Sequence, residues 1–205
     1  MKHRHTLPAI VLLACVASIA AAQTPGGDST TPRFTELVVV RSTVRAEFDA
    51  RLLGYYELRR TLEDGLPAQH VTDNPAENIE IERKLARRIR HARAGALRGA
   101  IFTPDICLEF KRVLLIETTP EVRAVIMDDN PGPFSHRVNS HYSKRRPLST
   151  MPGTFLRVLP ALPDGIEYRF LGPHLILHDT KANLILDTMS CAIPCLDDKE
   201  PRERR

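Results

Sequence analysis

The sequence contains no tryptophan, and aromatic residues make up only 5% of its 205 positions. An aromatic platform for stacking sugar rings is therefore unsupported. Long apolar runs are also lacking once the first 22 residues are passed. Nothing later approaches the roughly 20 residues a membrane-spanning helix needs, so the remaining chain reads as having no transmembrane segment. There is no phosphate-binding glycine loop. There is no Gly-x-Ser-x-Gly elbow, although Ser135, Ser140, Ser143 and Ser149 accompany His136 and His141. Serine hydrolase chemistry has no positive support. Asp128-Asp129-Asn130 before Pro131-Gly132 lacks the alternating ligands and distant glutamate of a calcium loop, and reads as a turn. Charge of one sign is only in small excess, 29 Lys+Arg against 25 Asp+Glu.

What the chain does have is an export signal. Met1 to His5 is a short basic start, and Leu7 to Ala22 is apolar without a charge. Ala20-Ala21-Ala22 supplies the small residues a signal peptidase reads, and Gln23 to Asp28 turns abruptly polar. Residues 1–22 therefore read as a cleavable signal peptide, which directs the protein to the periplasm or the medium. Leu12-Leu13-Ala14-Cys15 offers an alternative, a lipoprotein anchored at Cys15, but the apolar run continues past that cysteine. Cleavage after Ala22 leaves 183 residues, with 27 Lys+Arg against the same 25 acidic residues, a net charge of +2. That balance gives no electrostatic case for nucleic acid. Three cysteines remain, Cys107, Cys191 and Cys195. Outside the cytoplasm Cys191 and Cys195 are candidates for a short disulfide loop, while Cys107 reads as a small packed residue. Two cysteines four apart with no second pair do not make a structural zinc site.

Patterning along the mature chain predicts an α+β fold. Residues 23–42 read as a flexible leader, with a brief apolar stretch at Phe34–Val40. Val44, Phe48, Leu52, Tyr55 and Leu62 fall on one face of a helix from about Thr43 to Asp64, capped by Ser42 or Thr43 and stopped at Gly65-Leu66-Pro67. Gly54 weakens its middle. Asn74-Pro75-Ala76-Glu77 starts a second helix, to about Ala94, with acidic residues early and arginines late. Thr103-Pro104-Asp105 starts a third, to about Glu117, and Pro120–Met127 forms a fourth. Residues 128–163 carry six prolines and read as a connection running over the surface, with a short helix at Gly153–Leu159. Glu167–Leu171, Leu175–His178 and Leu184–Thr188 read as a three-stranded antiparallel β-meander packed on a core of three to four helices. The expected domain is 43–195, followed by a disordered tail at 196–205.

Several of these segments resemble an uncharacterised family of small secreted bacterial proteins. The likeness rests on Val71–Glu77, Ile101–Pro104, Leu162–Gly172 and above all His174–Asp187. It spans roughly residues 43–193. It implies export and a shared fold. The family has no established activity, so it supplies no catalytic residues. The Cys pair in Met189–Cys195 departs from the family's pattern, so a disulfide there reads as a local feature.

Two clusters carry candidate chemistry. Asp179 and Asp187 with His178 form a possible acid–base set, or a metal site, beside His174 and Asn183. His174 and His178 cannot chelate one ion from a strand, where residues four apart stand about 13 Å apart. The plainer expectation has Asp179 and Asn183 shaping the turn and Asp187 on the solvent face. The second cluster is the basic run of which Arg87, Arg88, Arg90 and Arg93 are anion-binding candidates for anionic envelope components. Its plainer reading is a solvated helix face paired with nearby glutamates. The leading expectation is a non-catalytic envelope protein that binds a partner or a surface component, with no cofactor. The alternative is a small hydrolase or metal-dependent enzyme using the Asp179/Asp187 region.

Overall fold

The computed structural model describes residues 39–70, 75–128, 130, 137–145, 147 and 149–195. All of these residues belong to one unit, Leu37–Arg205. The expected signal peptide with Cys15, the expected leader up to residue 38, the expected Asn74 cap, Asp129, Ser135, His136 and the expected tail lie outside the described residues.

This unit is α+β. Its helices are α1 (Ser42–Glu63), α2 (Pro75–Ala92), α3 (Pro104–Glu117), α4 (Pro120–Asp128) and α5 (Gly153–Val158). Strands β1 (Ile166–Leu171), β2 (His174–Asp179) and β3 (Leu184–Met189) follow and pair antiparallel in the order β1-β2-β3. Among the described residues no helix is long and apolar enough to cross a membrane.

Helix α1 buries Phe48, Leu52, Tyr55 and Arg59, spaced one turn or two apart. Its start differs from the expected Ser42 or Thr43 cap. Arg41 occupies the cap position and offers no side-chain cap. Its main-chain N–H instead donates to Glu109 Oε1 at 2.9 Å, so a distant carboxylate fixes the helix entry. Glu109 is fully buried and also takes two hydrogen bonds from Arg112, which hold its carboxyl down at about 2. Helix α3 starts as expected, with Thr103 Oγ1 accepting from the Ile106 N–H. Between the helices and the sheet sits a ring cluster of Phe48, Phe102, Phe110 and Tyr168, with centroids 5.0–6.5 Å apart. Each such pair contributes about 0.5–1.5 kcal/mol beyond area burial.

The sheet is covered on both faces. Ile166, Tyr168, Phe170, Leu175, Leu177 and Leu184 turn toward the helices and join the main core. Leu171, Ile176 and Ile185 turn the other way, where Tyr142 closes a second small cluster. Tyr142 belongs to the Pro-rich connection, so that segment is more than a surface path. Asn139 N–H donates to Ile185 O, Ile185 N–H to Ser140 O, and Tyr142 N–H to Asn183 O. His141 makes a β-bridge with Leu184. The connection thus lines the outer edge of β3, the kind of cover that keeps a strand edge from pairing with another chain.

Candidate functional site

The predicted acid–base residues come first. Asp187 is not on the solvent face: it is 0% exposed. The cause is a bulge. Leu177 pairs with Asp187 and His178 with Ile185, so Leu186 is an extra residue on β3. Simple alternation groups Asp187 with Ile185, on the side away from Leu184 and Leu186. The extra residue turns Asp187 to the helix side. There its carboxylate accepts N–H groups from Gly99 (3.0 Å), Ile101 (2.7 Å), Phe102 (2.8 Å) and Thr188 (2.8 Å). It shapes the loop between α2 and α3.

Asp179 is equally buried. Its Oδ1 accepts the N–H groups of Lys181 and Ala182, each at 2.9 Å, so it does build the β2–β3 turn as its sequence position suggests. Its Oδ2 accepts Tyr55 O–H at 2.5 Å and stands 3.3 Å from Arg59 Nη1. Burial, with the Asp179 charge beside it, pushes the Tyr55 hydroxyl far up, so it stays a donor. Arg59 continues to Asp164 O at 2.6 Å and lies over the Tyr56 ring. Gly165, at φ 75°, leaves room for it: a Cβ there meets Arg59 Nη1 at 3.0 Å.

His178 does not join these carboxylates. It follows Leu177 and precedes Asp179 on β2, and so points to the other face. There it pairs through Nε2 with Asn183 Oδ1 at 3.0 Å, and its ring centroid is 5.2 Å from that of Tyr142. Burial lowers its pKa. The three candidate catalytic groups are therefore split between two faces, each within its own set of internal partners. Among the described residues no three His, Cys, Asp or Glu side chains are grouped to hold a metal ion.

The arginine candidates are dispersed as well. Arg88 donates to Leu62 O and Asp64 O, closing the end of α1. Arg90 contacts His141 Nε2 at 2.6 Å. Arg93 donates to Asn139 Oδ1 and Leu186 O and sits 5.0 Å over the Tyr55 ring, with burial lowering its pKa. Arg87, 3.8 Å from Glu80, remains mostly exposed. Arg88 and Arg90 tie α2 to its neighbours, and the four side chains have separate partners.

Open space lies elsewhere. Gly165 O accepts the Thr180 N–H, which sets the parity of β1: Gly165, Glu167, Arg169 and Leu171 direct their main-chain groups toward β2. Phe170 directs its own outward, where its N–H donates to Ser149 Oγ (2.9 Å) and its C=O accepts from it (2.7 Å). The same parity turns the Tyr168 N–H and C=O outward. No described strand pairs on that side. A cleft of about 510 Å³ lies along this edge, between β1 and α5, with Met151, Leu156, Pro160, Leu162 and Tyr168 among its lining residues. Leu156 is 54% exposed. Arg169 and Glu167 form an ion pair at the rim. Sequence reasoning missed this site, because no polar motif marks it. The one available signal was β1's place at the end of a three-strand meander.

Cys191 and Cys195 are at disulfide distance, with Cα atoms 5.8 Å apart. Among the described residues Cys107 is the free thiol, with its Sγ 3.3 Å from Phe102 O and its pKa raised by burial. The chain matches no model of a known protein family, no curated protein and no solved structure.

Proposed function

We propose that this is an exported, non-catalytic envelope protein that binds an extended segment of a partner polypeptide along the open edge of β1. The observation that carries this reading is the outward main-chain parity of Tyr168, a lining residue of a largely apolar cleft. An added strand pairs with such groups, while alternate side chains of the partner fill the flanking space. The cleft's volume falls in the range of about 300–1,000 Å³ usual for ligand sites. An exposed leucine on α5 beside an unpaired edge is otherwise a liability for aggregation. Export is supported by the N-terminal signal pattern and by the cysteine pair, which suits an oxidising compartment. Kinship with the secreted bacterial family belongs to the same reading.

The test is a random-peptide display selection on the purified protein, with a Leu156→Asp variant for counter-selection. Linear peptides with alternating apolar residues that bind the protein and not the variant support the proposal. Selection of nothing, or of peptides indifferent to Leu156→Asp, contradicts it. Saturable binding of small apolar compounds alone in the same cleft also counts against it.

A further inference from the structure

The Cys191–Cys195 loop has features that a simple staple does not need. Only three residues lie between the cysteines, so the crosslink removes little entropy from the unfolded chain. The loop is also held without it. Ala192 and Ile193 are buried, at 2% and 1% exposure, and the N–H groups of both reach Pro173 O. The cysteines flank this anchored centre. Cys191 is exposed and Cys195 partly so. Opening the bond therefore leaves the loop in place and the two sulfurs near each other.

Two arginines bind the residues next to the cysteines. Arg98 Nη2 donates to Ser190 Oγ at 2.5 Å, next to Cys191 in sequence. Arg123 Nη1 donates to Pro194 O at 2.6 Å, next to Cys195. His174 Nδ1 accepts the Cys191 N–H at 3.2 Å. Cations beside a cysteine favour its thiolate, and a better thiolate is a better leaving group. Cys191 also adopts φ 49°, a left-handed conformation uncommon for a residue with a side chain. Cys107 is the internal contrast, a partly buried thiol whose surroundings oppose ionisation.

We propose that Cys191–Cys195 is a thiol–disulfide exchange site that takes electrons from protein or peptide dithiols. A substrate thiolate attacks the exposed Cys191 Sγ. The Cys191–Cys195 bond breaks, and Cys195 leaves as a thiolate and takes up a proton. The substrate's second thiol loses its proton and attacks the mixed disulfide, releasing Cys191, which is protonated in turn. The substrate dithiol has lost two electrons and two protons and become a disulfide. Cys191 and Cys195 have gained both.

The experiment uses the full oxidised chain carrying Cys15→Ala and Cys107→Ala, so that only the pair reports. It is mixed without oxygen with a synthetic peptide bearing two thiols, quenched with acid and read by mass spectrometry. The expected result is one peptide disulfide per chain, formed about tenfold or more faster than with oxidised glutathione at equal concentration, under conditions where circular dichroism is unchanged. The rate should fall severalfold in an Arg98→Gln/Arg123→Gln variant, and also in unaltered protein as salt screens the two cations. Exchange no faster than glutathione's, or exchange only after denaturant unfolds the chain, overturns the proposal.

Discussion

The two edges of the sheet are treated in opposite ways. The β3 edge is lined by Asn139, Ser140 and Tyr142, and β3 is buried along its whole length. Asp187 and Arg93 reinforce it from the helix side. The β1 edge is bonded at its two ends, Ile166 N–H to Pro163 O and Phe170 to Ser149, and between them Tyr168 borders an open cleft. Both edges belong to one small meander. The polar residues that look chemical in the sequence serve the closed side, and the open side is lined mainly by apolar residues and main chain. Residue chemistry alone therefore points away from the accessible surface.

That contrast can be broken by substitution. The largest effect is expected at Asp187. Asp187→Ala strands three loop amides and one strand amide without their acceptor, which should cost about 3 kcal/mol or more in a denaturant melt. A loss under about 1 kcal/mol would mean that water or a shifted loop replaces the carboxylate readily. Ser149→Ala removes two hydrogen bonds at a single point of the β1 edge and should cost about 1–2 kcal/mol by the same measurement. If the two variants lose equal stability, the closed and open edges are not distinct in energy.

A pH titration separates a third element from both edges. Glu109 titrates at about 2 in the folded protein, below the usual 4.5 of a glutamate, because Arg112 and Arg41 hold its charged form. Its stabilisation is complete above pH 4.5 and is lost as pH falls toward 2. Glu109→Gln should flatten that part of the stability–pH profile. An unaltered acid limb would place the acid sensitivity in other carboxylates. The smallest stability effect belongs to Leu156→Asp, at most about 0.5 kcal/mol, since Leu156 is half exposed on α5. It should still abolish peptide binding, which separates function from folding.

Much of the fold was legible in the sequence. Helix spacing located α1, the Asn74-Pro75 and Thr103-Pro104 start signals located α2 and α3, and the runs Glu167–Leu171, Leu175–His178 and Leu184–Thr188 located the strands. These signals are local, set by periodicity and by turn chemistry. What failed was non-local. The start of α1 depends on Glu109, 68 residues from Arg41. The burial of Asp187 depends on a bulge at Leu186, which alternation in one strand cannot reveal. The role of the Pro-rich connection depends on its pairing with β3. The candidate site was least legible, because an open edge is a property of which strand has no neighbour.

The most direct measurement is amide hydrogen exchange at Tyr168, with and without a selected peptide. Strand addition at β1 predicts that the peptide slows exchange at Tyr168 by about tenfold or more, while the Ile185 amide, already bonded to Ser140, does not change. An unchanged Tyr168 amide under saturating peptide would contradict binding at this edge.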